Sequence, residues 1–68
     1  MKGFEIQLNG EARTVSSTTV AALLEELGLA DRKVAVELNH VIVSRADYPS
    51  TALAAGDKLE IIHFVGGG

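Results

Sequence analysis

The residues of this chain that are able to do chemistry are few and scattered. His40 and His63 have no Cys, His or Glu partner at the spacing of a metal-ligand set. Glu25 and Glu26 are adjacent, and neighbours on a helix point in different directions, so they are a solvated helix face rather than a positioned acid and base. Ser16, Ser17, Ser44 and Ser50 have no base beside them, and the chain holds no G-x-S-x-G, P-loop or G-x-G-x-x-G motif, which leaves hydroxyls for caps and turns. Arg45 and Asp47 offer at most a small-anion contact or a surface pair. Cysteine is absent, which excludes a disulfide framework, a thiolate nucleophile and a thiolate metal site. What remains is the ending "HFVGGG", His63 to Gly68. Glycine cannot pack and costs the most entropy to order, so three in a row are useful where slimness and freedom in φ and ψ are the requirement.

Such an end needs elements that present it. In "GFEIQL", Phe4, Ile6 and Leu8 share one face and Glu5 and Gln7 the other, the period-two pattern of a half-buried strand. Asn9-Gly10 is a hairpin turn, followed by a second strand through about Val15. "SSTT" then supplies capping oxygens, and Val20, Leu23, Leu24 and Leu27 fall at i, i+3, i+4 and i+7, the apolar face of one short helix that Gly28 ends. "KVAVELNHVIV" makes a second hairpin about Asn39-His40, where His40 suits the turn less well than glycine would. "SRADYPSTALAAGD" follows neither period and is expected to be a loop with a short helical turn, before the last strand "KLEIIHFV".

Two hairpins, a helix between them and a final strand predict an α+β domain: one mixed, twisted sheet of four to five strands with the helix on one face. The first and last strands are expected to lie side by side and parallel at its centre. Residues 1–65 then form the domain and 66–68 a flexible glycine tail. In the last strand Leu59 and Ile61 can face the helix, which turns Glu60, Ile62 and Phe64 to the opposite face. Ile62 and Phe64 are thereby expected to be exposed apolar residues beside the tail, a pattern that marks a protein partner. At no more than about 3.6 Å per residue, Val65 to Gly68 carry the end roughly 14 Å beyond the sheet, far enough to enter another protein's site.

Composition limits the alternatives. A chain of 68 residues buries only about 60% of its unfolded surface and has no room for a deep pocket. A net charge of −3 with no basic stripe argues against nucleic acid. No stretch approaches the roughly 20 apolar residues of a membrane span, and "MKGFEIQLNG" lacks the apolar core of a signal peptide, so a soluble, cytoplasmic protein is the expectation.

With "TTVAALLEELGL" as its helix, "VAVELN" as its third strand and "AGDKLEIIHFVGGG" as its ending, the chain resembles, end to end, the ThiS family of thiamin-pathway sulfur carriers, which are ubiquitin-like β-grasp proteins. It departs from the family pattern at His40, Ser44 and Tyr48, where glycine, proline and tryptophan are common. The resemblance implies a substrate rather than an enzyme. An α-carboxyl group ionises at about pH 3.3 to 3.7, so at pH 7 the end of Gly68 is a carboxylate and a poor electrophile that must be activated. In the family a ThiF-like adenylating enzyme of the ubiquitin-activating type couples that carboxylate to AMP, consuming ATP with Mg²⁺. Sulfur that originates on a cysteine desulfurase persulfide then displaces AMP. The resulting thiocarboxylate serves a ThiG-like thiazole synthase. By the same resemblance Gly68 is the covalent carrier, Gly66 and Gly67 thread it into partner sites, and Ile62, Phe64 and Val65 dock the domain, with no bound cofactor or metal. The alternatives are the related small subunit of molybdopterin synthase and a non-catalytic ubiquitin-like interaction module.

Overall fold

The computed structural model describes residues 3–63. Its strands are β1 (Phe4–Leu8), β2 (Glu11–Val15), β3 (Val34–Leu38), β4 (Val41–Val43) and β5 (Lys58–His63), with helix α1 (Val20–Glu26) after β2 and a 3-10 helix (Arg45–Ser50) after β4. The strands form one five-stranded sheet in the order β2-β1-β5-β3-β4. β5 runs parallel to β1 and antiparallel to β3, between the two hairpins. This is the β-grasp arrangement expected from the sequence, with the strand count settled at five.

Period two decides the sheet's inner face. Ile6, Val15, Val36, Leu59 and Ile61 are buried, and they meet Val20, Leu23 and Leu24 of α1 and Leu53 of the loop before β5 in one core. Leu27, at the end of the helix stripe, is half-buried against it.

Thr19 is the N-cap of α1, its hydroxyl accepting from the Ala22 amide at 3.1 Å. At the other end Gly28 has φ +77°, its amide donating to the Glu25 carbonyl at 3.1 Å while the Leu29 amide donates to that of Leu24 at 2.7 Å. Those two bonds are a Schellman motif, which needs the left-handed conformation glycine adopts at no steric cost. The long segment after β4 is tied down by its backbone: the Val20 amide donates to the Thr51 carbonyl and the Leu53 amide to that of Thr18. Its six-residue 3-10 helix is longer than the single turn expected. Tyr48 packs from it against the core, its hydroxyl donating to the Val34 carbonyl at 3.4 Å.

Both hairpins close through two residues with positive φ: Asn9 and Gly10 at 52° and 86°, Asn39 and His40 at 51° and 71°. A left-handed conformation costs a residue bearing a Cβ roughly 1 to 2 kcal/mol, of which glycine's extra unfolded-state entropy returns part. His40→Gly is therefore expected to stabilise the domain by about 0.5 to 1 kcal/mol and raise its thermal midpoint by roughly 2 to 8 °C. An unchanged or lower midpoint by circular dichroism contradicts this account of the turn.

Candidate functional site

The candidate site is the far end of β5 together with the sheet face that α1 leaves open. Along β5, Leu59 and Ile61 are buried whereas Ile62 is 50% exposed, so the structure places Ile62 on the face away from the core. Strand register gives Ile62 its neighbours: Ala35 lies opposite it on β3, and two residues back, on the same face, Glu60 lies opposite Glu37. Glu37 in turn faces Ile42 of β4, which is 72% exposed. The open face thus carries two isoleucines around a directly opposed pair of carboxylates. Like charges in that position weaken a sheet, and exposed apolar side chains beside them make this face a candidate for contact with a partner. Of the other expected site residues, Phe64, Val65, Gly66, Gly67 and Gly68 lie outside the described residues.

The position of β5 is fixed by more than its ladders. The parallel pairing with β1 runs through the Gln7 amide to the Asp57 carbonyl and the Asn9 amide to the Leu59 carbonyl, each 2.9 Å. The next bond of a parallel ladder would join the Ile61 amide to the main-chain carbonyl of residue 9. There the chain turns away, and the Asn9 side chain takes the bond instead, its Oδ1 accepting from Ile61 at 2.8 Å. Asn39 does the same on the other flank. Its Oδ1 accepts from the Lys58 amide at 3.0 Å, its Nδ2 donates to Asp57 Oδ1 at 3.1 Å, and its own amide donates to the Lys58 carbonyl at 2.7 Å. Asp57 Oδ2 meanwhile accepts from the Ala54 amide at 2.8 Å, closing the turn that launches β5.

Sequence reasoning assigned Asn9 and Asn39 to turns alone. The one signal of a second role was asparagine, with its side-chain acceptor, at the first position of both. Asn9→Gly keeps the positive φ and removes the side chain that carries Oδ1. It is expected to cost about 1 to 3 kcal/mol for the Ile61 amide left without its partner, and to speed hydrogen exchange at that amide. Exchange at Ile61 as slow as in the parent contradicts this role.

The remaining chemical side chains serve local structure or stand in solvent. The Ser17 hydroxyl donates to Glu26, the Ser50 and Thr51 hydroxyls donate to the Asp47 carbonyl, and His40 and His63 are exposed. Among the described residues there is no group of three His, Cys, Asp or Glu placed to hold a metal ion, and no helix long and apolar enough to cross a membrane.

Comparison with known proteins adds what geometry does not carry. A family model described as the ThiS family matches residues 6–68. Over 65 residues the chain is 38% identical to the sulfur carrier protein ThiS of Bacillus subtilis, covering 93% of this chain and 98% of that protein. It is 54% identical over 65 residues to a thiazole synthase of Paramagnetospirillum magneticum, covering 94% of this chain but spanning only 20% of that protein's length. The crystal structure of a thiamine biosynthesis protein, ThiS, from Geobacter metallireducens superposes with a TM-score of 0.81 at 33% identity, over 96% of this chain and all of that one.

Proposed function

Because the chain belongs to the ThiS family, we propose that it is a sulfur carrier for thiamin biosynthesis, a protein cosubstrate whose reacting group is the carboxylate of Gly68. The observation that carries this reading is the family match through residue 68, which takes in the three glycines. The near-complete mutual coverage with the sulfur carrier of Bacillus subtilis supports it.

In the proposed sequence a carboxylate oxygen of Gly68 attacks the α-phosphorus of ATP within a partner adenylating enzyme, with Mg²⁺, and pyrophosphate leaves. The acyl carbon, now bonded to a good leaving group, is attacked by sulfur and AMP departs. Where the donor is a persulfide that traces to cysteine desulfurase, the acyl disulfide first formed yields the thiocarboxylate when a thiol attacks its S–S bond. Sulfur then passes to thiazole synthase. The 54% identity to a segment of a thiazole synthase supports that recipient over the molybdopterin alternative.

Residues 66–68 act as a thread, since a channel narrow enough to exclude water has room for backbone and little else. The domain is a handle, and Ile62, Phe64 and Val65 dock it. The test is intact mass after incubation with the adenylating enzyme, ATP, Mg²⁺ and a sulfur source. The expected shift is the exchange of one oxygen for one sulfur, lost when Gly68 is deleted; a shift that survives the deletion places the chemistry elsewhere.

A further inference from the structure

A second feature lies on the helix side of the sheet. Between the end of α1, the start of β3 and the 3-10 helix is an open pocket of about 260 Å³, floored by Leu24, Val34 and Tyr48 and rimmed by Arg32, Lys33 and Arg45. Among the described residues none that lines it is acidic. The chain has six Lys and Arg against nine Asp and Glu, so half of its cations gather around one cavity of a protein that is negative overall. All three are exposed. Val34, on the floor, is the register partner of His63, so the pocket sits at the end of the sheet from which the chain runs on to residue 64.

We propose that this pocket receives an acidic side chain of the partner adenylating enzyme as that enzyme takes up the residues after His63. The identity of the partner rests on the functional reading above; the chemistry of the occupant rests on the pocket. An apolar floor with cations on the rim suits a carboxylate carried on methylene groups, which pack against Leu24 and Val34 while the charge meets a guanidinium fork. A small hydrated oxyanion would need convergent, desolvated donors, and three solvent-facing side chains do not supply them. A basic patch at this end also orients an acidic partner before contact, and steering of that kind acts on the association rate and falls steeply with salt.

The experiment measures association with the adenylating enzyme across ionic strength for the full chain and for the triple variant Arg32→Glu, Lys33→Glu, Arg45→Glu. At low salt the triple variant is expected to associate about 100-fold more slowly, and the gap is expected to close near 1 M salt, where the Debye length is about 3 Å. Arg13→Glu, on β2 at the opposite edge of the sheet, should stay within about twofold of the parent. If the charge-reversed variant does not fold, the Arg32→Gln, Lys33→Gln, Arg45→Gln variant gives the same readout with a smaller slowing.

A variant that associates at the parent's rate and with the parent's salt dependence, while the parent is adenylated normally, overturns this inference and leaves the functional reading standing. A parent chain that is not adenylated at all overturns both. Saturable chemical-shift changes confined to the pocket on adding inorganic pyrophosphate at constant ionic strength assign it to a small oxyanion, and overturn the proposal in favour of that ligand.

Discussion

Gly67→Val is expected to cut ATP–pyrophosphate exchange on this chain by at least about 100-fold while leaving its folding midpoint where it was. One methylene in a discriminating pocket is worth about 1 to 3 kcal/mol, and valine adds more than one, branched at Cβ, to a segment proposed to run through a channel shaped for bare backbone. Gly67→Ala, a single methyl, should slow exchange by roughly 10-fold or somewhat more. Among the described residues the buried side chains run from Ile6 to Ile61, and residue 67 is not one of those that build this core. The pair therefore separates threading from folding. Exchange at the parent's rate with Gly67→Val would remove the reason offered for the glycines.

A single-residue step along β5 should reverse the consequence of one substitution. Ile61 is 6% exposed, so Ile61→Asp places a carboxylate in the apolar core, where no charged residue is buried among the described residues. That costs several kcal/mol beyond the lost burial, against a total stability of about 3 to 10 kcal/mol for a domain of this size, and the chain is expected to unfold. Ile62 is half exposed on the other face, so Ile62→Asp should stay folded at a cost of about 1 to 2 kcal/mol, from lost strand propensity and like-charge repulsion. It adds a third carboxylate next to Glu60 and Glu37. If that face is the dock, affinity for the adenylating enzyme should drop by about 2 kcal/mol or more, around 30-fold. Circular dichroism reports folding and a binding isotherm reports docking. A folded Ile62→Asp chain that binds as tightly as the parent would refute the docking role, and an unfolded one would mean that Ile62 supports the core.

The contrast between those neighbouring isoleucines was legible in the letters "KLEIIHFV", because a strand admits one parity and the helix covers one face. The same logic placed Phe4, Ile6 and Leu8, and the i, i+3, i+4, i+7 spacing placed α1 to within a residue or two. These are local rules, written in consecutive residues. What the letters withheld depends on distance along the chain. That the Asn9 side chain completes a ladder to Ile61 follows from where a turn leaves β5, not from any property of "LNGE". Glu37 meets Glu60 only once the register of β3 against β5 is set. Arg32, Lys33 and Arg45 come from two segments with no shared period, and they gather only because the 3-10 helix folds back toward the end of α1. The glycine end was legible from composition and from resemblance alone.

The order of the strands sets when this domain can exist. The hairpins β1-β2 and β3-β4 are built from near neighbours, yet among the described residues no strand of one pairs with a strand of the other; β5, the last strand in sequence, bridges them. Leu8 pairs with Leu59, so closing the sheet means closing a loop that takes in most of the chain, and a fold with so high a contact order forms slowly and late. Until β5 arrives, each hairpin has an apolar face and no core to bury it in, which favours an all-or-none transition over a half-built domain. The strand that leads into the glycines is therefore also the strand whose pairing joins the two hairpins into one sheet.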